Sequence, residues 1–100
     1  MSNRIEVSKG SASSLGSNGI ISYKIDSIED TLKVGLAQAK SAGWQSAAID
    51  APTNPDTLRT AFSVVAEFLF SNDTPKTIIF ACPDDNTLEA GKQLVEETFS

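Results

Sequence analysis

The side chains that could do chemistry in this protein lie just after the segments that we predict to be strands. In α/β proteins with parallel sheets, ligands bind outside the carboxyl ends of the strands. Three helices are predicted to begin at that same edge, and free amides at helix N-termini bind anions and phosphates. We therefore predict a ligand-binding site there, formed by Ser27, Asp50, Thr53, Asn54, Asp84 and Asn86.

Acidic residues at this edge allow other interpretations. Asp26, Asp50, Asp84 and Asp85 each follow a predicted strand. An aspartate in that position caps the next helix or interacts with its dipole, a contribution of about 0.5–1 kcal/mol. Carboxylates are also ligands for a hard cation such as Mg²⁺, and four of them repel a phosphate unless a metal or the helix dipoles intervene. Helix capping, cation binding and anion binding are therefore alternative roles for this part of the chain, and we assign no residue as a metal ligand.

The absence of histidine restricts the possible reactions. The chain has no histidine and one cysteine, Cys82. These counts exclude Ser-His-Asp and Cys-His nucleophiles, histidine-based metal sites and an intrachain disulfide. Cys82 ends an apolar run, which predicts a small buried hydrophobe. We therefore predict no catalytic residue and no cofactor, and we favour a non-catalytic role.

Length and charge limit the class of protein. One hundred residues correspond to one domain, which we divide into an N-terminal strand with a Ser/Gly-rich loop (1–19) and an α/β domain (20–100). The net charge is −5, and the eight basic residues do not cluster, which disfavours nucleic-acid binding. No apolar stretch is long enough to span a membrane, and the N-terminus lacks the pattern of a signal peptide. We expect a cytoplasmic protein without membrane contacts.

Hydrophobic spacing predicts four strands and three helices. The segment Gly10–Gly19 is predicted to be a loop. Two pairs of residues indicate helix starts: Ser27 with Asp30 resembles a capping box, and Asn54 with Pro55 is a strong N-terminal signal. Gly43 suits a helix C-terminus. The predicted strands are Ile5–Val7, Ile20–Ile25, Ser46–Ala51 and Thr77–Cys82, and the predicted helices are Ile28–Ala42, Pro55 to about Ser71, and Asn86 or Thr87 to about Phe99.

The order of these elements, β-β-α-β-α-β-α, predicts an α/β fold. Alternating strands and helices imply a parallel sheet with right-handed crossovers. We expect a three-layer α/β/α domain with a small, mostly parallel, four-stranded sheet and helices on both of its faces. The first strand is expected at an edge of the sheet, in either direction.

From Thr31 to Phe99 the chain resembles the macrodomain, the ADP-ribose-binding fold. The resemblance lies in a helix with leucine and alanine at Leu32–Ala39, the strand Ser46–Ala51, a helix ending in Phe68-Leu69, the apolar strand Ile78–Cys82 and a final helix. It implies an ADP-ribose-like or nucleotide ligand. Ser11 stands where the family has an aspartate for adenine, and the segment Pro52–Pro55 lacks the glycines of the phosphate loop. The resemblance therefore implies an abbreviated relative without ADP-ribose hydrolysis.

Two functional hypotheses follow. The first is a non-catalytic, macrodomain-like module that binds a nucleotide or an ADP-ribose-like ligand at the six residues named above. The alternative is a protein-interaction module without a small-molecule ligand. In that case the edge strand Ile5–Val7 pairs with a second copy or with another protein, and the segment Gly10–Gly19 orders on the partner. Against pairing, Glu6 and Lys9 are charges of the kind that protect an edge which stays solvated.

Overall fold

The computed structural model describes residues 4–14 and 16–99. Two 3-10 turns, Ala12–Ser14 and Ile25–Ser27, lie between the regular elements. The strands are β1 (Ile5–Lys9), β2 (Gly19–Ile20), β3 (Ser46–Asp50) and β4 (Thr77–Cys82), and the helices are α1 (Ile28–Ala42), α2 (Pro55–Ser71) and α3 (Asp85–Phe99). The predicted order of strands and helices is confirmed.

The four strands form one parallel sheet in the order β1-β4-β3-β2. β4 lies between β1 and β3, with Ile78 beside Ile5 on one side and beside Ala47 on the other. β2 pairs with β3 alone, and Ile20 lies beside Ala48. The predicted α/β class and parallel sheet are confirmed. The first strand is an edge strand, as predicted, and it runs parallel to its neighbour.

All three helices pack on one face of this sheet. Phe80 of β4 is buried in one cluster with Leu36 of α1, Phe62 of α2 and Leu94 of α3. Its ring stacks on that of Phe62, with 5.6 Å between the ring centroids. Because alternate residues of a strand point to the same face, Ile78 and the other members of this row point to the helices as well. This helical layer holds the main hydrophobic core.

The opposite face is covered by the segment that joins β1 to β2. This segment must pass from one edge of the sheet to the other, and its 3-10 turn, Ala12–Ser14, packs against the sheet. Ala12 is buried with Ala48 and Ala81, the residues of β3 and β4 that point away from the helices. The third layer is therefore a single helical turn. The α-helices that we expected on this face lie on the other one, because successive right-handed crossovers in one direction place their helices on the same side.

The helix ends follow the sequence signals in most places. Asn54 caps α2 ahead of Pro55, and Gly43 ends α1 with a φ of 74° and N–H bonds to the last carbonyls. The predicted capping box of α1 is wrong, because Ser27 takes the N-cap position but its side chain makes no capping bond. Instead the Thr31 hydroxyl donates to the Ser27 carbonyl.

The second strand is shorter than predicted. Its pairing with β3 ends after Ile21, whose N–H donates to the Ala48 carbonyl. Beyond that point two side-chain bonds hold the chain, from the Tyr23 hydroxyl to the Asp50 carbonyl and from the Lys24 N–H to the Thr31 hydroxyl. The chain therefore leaves the sheet at Ser22 and turns towards α1, although its residue types favour a strand.

Arg4 ties the start of β1 to the loop between α2 and β4. Its guanidinium group donates hydrogen bonds to four backbone carbonyls, those of Leu69, Asn72, Pro75 and Lys76. A charged donor makes stronger bonds than a neutral one, and a planar guanidinium can serve several acceptors at once. Arg4 thus connects sequence-distant segments at one end of the sheet.

We predict that Arg4→Met lowers the free energy of unfolding by about 2–3 kcal/mol, since hydrogen bonds from a charged group contribute about 1.5–3 kcal/mol and the freed carbonyls regain water only in part. Urea unfolding measures this change. The control is Arg59→Met, which removes an exposed ion pair with Glu97 (3.7 Å) and should cost less than about 0.5 kcal/mol. Equal losses in the two variants would contradict the role assigned to Arg4.

Candidate functional site

Asp50, at the end of β3, joins the two loops that meet there. Its carboxylate accepts a hydrogen bond from the Ala12 N–H at 2.8 Å, and its carbonyl accepts one from the Tyr23 hydroxyl at 2.6 Å. Burial, and secondarily the Asp50 charge, raise the pKa of Tyr23, so this hydroxyl remains a donor at neutral pH. Asp50 therefore holds the turn on the second face of the sheet in place.

Asn54 acts as the cap of α2. Its side-chain oxygen accepts hydrogen bonds from the N–H groups of Asp56 and Thr57, at 2.9 and 3.2 Å. These are amides that an anion would need at this helix N-terminus. Thr53, the residue before the cap, is exposed. The first predicted anion-binding position is thus filled by the protein's own side chain.

Asp84 caps α3 in the same way. Its carboxylate accepts the Thr87 N–H at 2.7 Å, while Asn86 is exposed in the first turn of the helix. Hydrogen bonds from the backbone and the side chain of Thr87 lower the pKa of Asp84, with a smaller contribution from Lys9, whereas desolvation opposes the shift. The carboxylate is therefore charged at neutral pH and serves the helix.

The predicted ligand residues lie near the carboxyl ends of the strands, but each of them makes separate contacts. Ser27 precedes α1 and is exposed, Asn54 precedes α2, and Asp84 precedes α3. In the part of the chain that the structure describes, no group of three or more acidic or cysteine side chains could hold a metal ion. The contacts that Asp50, Asn54 and Asp84 make are those of structural caps and ties.

Cys82 lies at the same end of β4 and is fully buried, as predicted. Burial, with a smaller effect of the Asp84 charge, raises the pKa of its thiol. The thiolate is the reactive form of cysteine, so both effects reduce its reactivity at neutral pH. Cys82 is therefore a packing residue beneath α3.

A different surface offers the more favourable concave shape. A groove of about 480 Å³ runs between the β2 edge of the sheet and α1. This volume lies within the range of small-molecule ligand pockets. Apolar residues dominate its walls, and among the described residues that line it Lys24 alone carries a charge. The lining residues are Ile20, Ile21, Ser22, Tyr23, Lys24, Thr31, Val34, Gly35, Gln38 and Trp44.

Two glycines shape this groove. A Cβ atom at Gly19 would lie 2.3 Å from the Trp44 ring, so the indole packs flat against the strand only because that side chain is missing. A Cβ atom at Gly35 would lie 2.5 Å from a methyl group of Ile21, so α1 approaches the strand closely at this level. The sequence analysis did not select these residues. The available signal was Gly35, a glycine inside a helical pattern, which often marks close packing.

One large apolar side chain is exposed on the α1 wall of the groove. Val34 is 58% exposed there, whereas Ile20, at 45%, lies beside Ala48 and therefore points its side chain to the other face of the sheet. Within the described residues, no helix is long and apolar enough to cross a membrane.

The outer side of β2 also carries free backbone groups. The Ile21 N–H points to β3, where it donates to Ala48. In a parallel ladder the residues alternate in direction, so the N–H and C=O of Ile20 point away from the sheet, towards the mouth of the groove. The groove therefore combines unpaired backbone groups on one side with apolar side chains on the other.

No family model matches the chain, and no curated protein matches it. The resemblance to the macrodomain stays a prediction that rests on the pattern of helices and strands.

We predict that Asp84→Asn flattens the acid limb of the stability profile. Because the pKa of Asp84 is lowered in the folded state, its stabilising effect is complete above the unfolded pKa of about 3.9 and is lost as the pH falls through the folded value. Asparagine keeps the capping acceptor without titrating. Urea unfolding between about pH 5 and pH 2 should show a smaller loss of stability in the variant. Parallel curves for the two proteins would contradict this prediction.

Proposed function

We propose that the protein is a non-catalytic interaction module that binds an extended peptide segment of a partner protein along the β2 edge. The observation that carries the proposal is the position of the groove, between an edge strand and a helix. In strand addition, a peptide pairs with an exposed edge and places alternate side chains against the neighbouring surface. Here the backbone of Ile20 forms the exposed edge of the sheet, and Val34 lies on the α1 wall of the groove.

The chemistry of the groove defines the peptide. Main-chain bonds to Ile20 give affinity without regard to sequence. The half-buried Trp44 ring and the exposed Val34 favour a bulky apolar side chain between them. Lys24, the charged residue of the lining, favours an acidic residue next to it. We therefore expect an extended segment with one bulky apolar residue and a neighbouring carboxylate.

The prediction is tested with synthetic peptides and the fluorescence of Trp44, which is the protein's single tryptophan. The probes are acetylated peptides of alternating threonine and valine with a central leucine or phenylalanine and a nearby glutamate. We expect saturable changes in fluorescence, with NMR shifts confined to residues 20–24 and the α1 wall. A central alanine, or lysine in place of the glutamate, should weaken binding by about tenfold, since one filled apolar pocket or one favourable charge contributes about 1–2 kcal/mol.

Val34→Glu should abolish this binding, because it places a carboxylate in the apolar wall beside the peptide's own acidic group. The fold should be retained, since Val34 is exposed and glutamate favours helices. The matched control is Ser63→Glu, which adds the same charge to an exposed position of α2. Absence of binding at millimolar peptide, or equal binding by the two variants, would overturn the proposal.

The nucleotide hypothesis is tested separately by calorimetric titration with ADP-ribose, with and without Mg²⁺. Because Asn54 and Asp84 already occupy the helix N-terminal amides of α2 and α3, we expect no heat of binding at millimolar ligand. Measurable heat that is lost in Asn54→Ala would instead support a nucleotide site at the strand ends and would count against the interaction module.

A further inference from the structure

The face of the sheet away from the helices carries a second cavity at the β2 edge. Its volume is about 330 Å³, and its lining residues are Ile20, Ile21, Ser22, Tyr23, Ile25 and Asp50. Four of these residues, at positions 20–23, also line the groove. The end of β2 and the turn after it therefore separate the groove from this second cavity, which we call the Asp50 pocket.

Strand alternation places the Asp50 pocket opposite the groove. Ala48 is buried with Ala12 on the face away from the helices. Ile20 lies beside Ala48, and Asp50 follows Ala48 by two residues, so the side chains of Ile20 and Asp50 point to that same face. The hydrogen bond from the Ala12 N–H to the Asp50 carboxylate agrees with this direction. The groove and the Asp50 pocket thus lie on the two faces of one sheet edge.

We infer that the Asp50 pocket binds an arginine side chain of the peptide, at the residue next to the one whose apolar side chain enters the groove. This inference rests on the proposed function and adds a second specificity position to the same binding edge. Successive side chains of an extended chain point to opposite faces. A peptide that pairs with the Ile20 backbone therefore places one side chain in the groove and the next on the side of the Asp50 pocket.

The walls of the Asp50 pocket suit a long side chain with an apolar stem. Ile20 is 45% exposed and Ile25 is 61% exposed, and both line the pocket. The methylene stem of an arginine can lie along such apolar surface while its guanidinium group stays in contact with water. A short polar side chain would leave both isoleucines exposed, and a fully apolar one would make no use of the Asp50 charge.

Asp50 supplies the negative charge for the guanidinium group. It is exposed, and none of the ion pairs among the described residues involves it. A carboxylate can accept several hydrogen bonds, and within the described part of the chain the Ala12 N–H is the one donor to it. A peptide guanidinium can therefore add charge-assisted bonds without breaking the bond to Ala12. Lys24, which would repel an arginine, lines the groove rather than this pocket.

The two cavities prefer opposite charges on the two faces of the peptide. On the groove side, Lys24 favours a glutamate two residues from the apolar residue, since side chains two apart share a face. On the other side, Asp50 favours an arginine directly next to the apolar residue. A peptide with these two charges exchanged meets like charges at both cavities, and the protein should therefore reject it.

Peptide titrations of the full chain, followed by Trp44 fluorescence, test the inference without a substitution in the protein. The probes carry arginine, citrulline or threonine directly before or directly after the central leucine, and citrulline has the stem of arginine without its charge. At one of these two positions arginine should bind about tenfold more tightly than citrulline. Arginine that binds no better than citrulline at either position would overturn this inference and leave the groove as the binding site. Absence of binding by every peptide would overturn the proposed function as well.

Asp50→Asn tests whether Asp50 is the partner of the arginine. Asparagine keeps an oxygen for the Ala12 N–H, so the fold should be retained, and the variant should bind the arginine and citrulline peptides equally. The matched control is Glu67→Gln, which removes one negative charge from an exposed position of α2 and should keep the preference for arginine. An arginine preference that survives in Asp50→Asn, or that is lost equally in Glu67→Gln, would contradict the inference.

Discussion

The packing of Ala12 against the sheet face opposite the helices determines much of the remaining structure. With β1 at one edge and β2 at the other, the chain has to cross the sheet between them, and it does so over Ala48 and Ala81. These residues are small enough for backbone to lie directly on the strands, and Asp50 fixes the crossing by accepting the Ala12 N–H. The three α-helices lie on the other face, because right-handed crossovers in one direction place their helices on the same side.

Local sequence signals predicted the helices and strands well where the apolar residues recurred with one clear spacing. The spacing of Leu32, Leu36 and Ala39 identified α1, and the pair Asn54-Pro55 set the start of α2. The second strand was overestimated because Tyr23 and Ile25 have residue types typical of strands, whereas side-chain bonds to Asp50 and Thr31 draw this segment away from the sheet. Which face the Gly10–Gly19 segment crosses depends on strand order, which is a non-local property that composition does not carry.

The candidate site was harder to predict for a chemical reason. Aspartate and asparagine before a helix are suited both to binding a ligand and to capping the helix, and the sequence pattern is the same in both cases. At Asn54 and Asp84 the helix amides are already bonded to the side chain. The groove, in contrast, depends on the absence of a side chain at two glycines. Gly19 and Gly35 contribute no side chain, and their effect is visible only once Trp44 and Ile21 are placed beside them.

The two edges differ because the helices above them sit differently. Over β1, α3 packs so closely that a Cβ atom at Gly91 would lie 2.9 Å from a Val7 methyl group, and Ile5 of this strand is fully buried. Over β2, the pairing ends after Ile21, and the chain turns back through Tyr23 and Lys24 to form one wall of a hollow whose other wall is α1. The same parallel sheet therefore has one edge that α3 covers closely and another that opens into a groove.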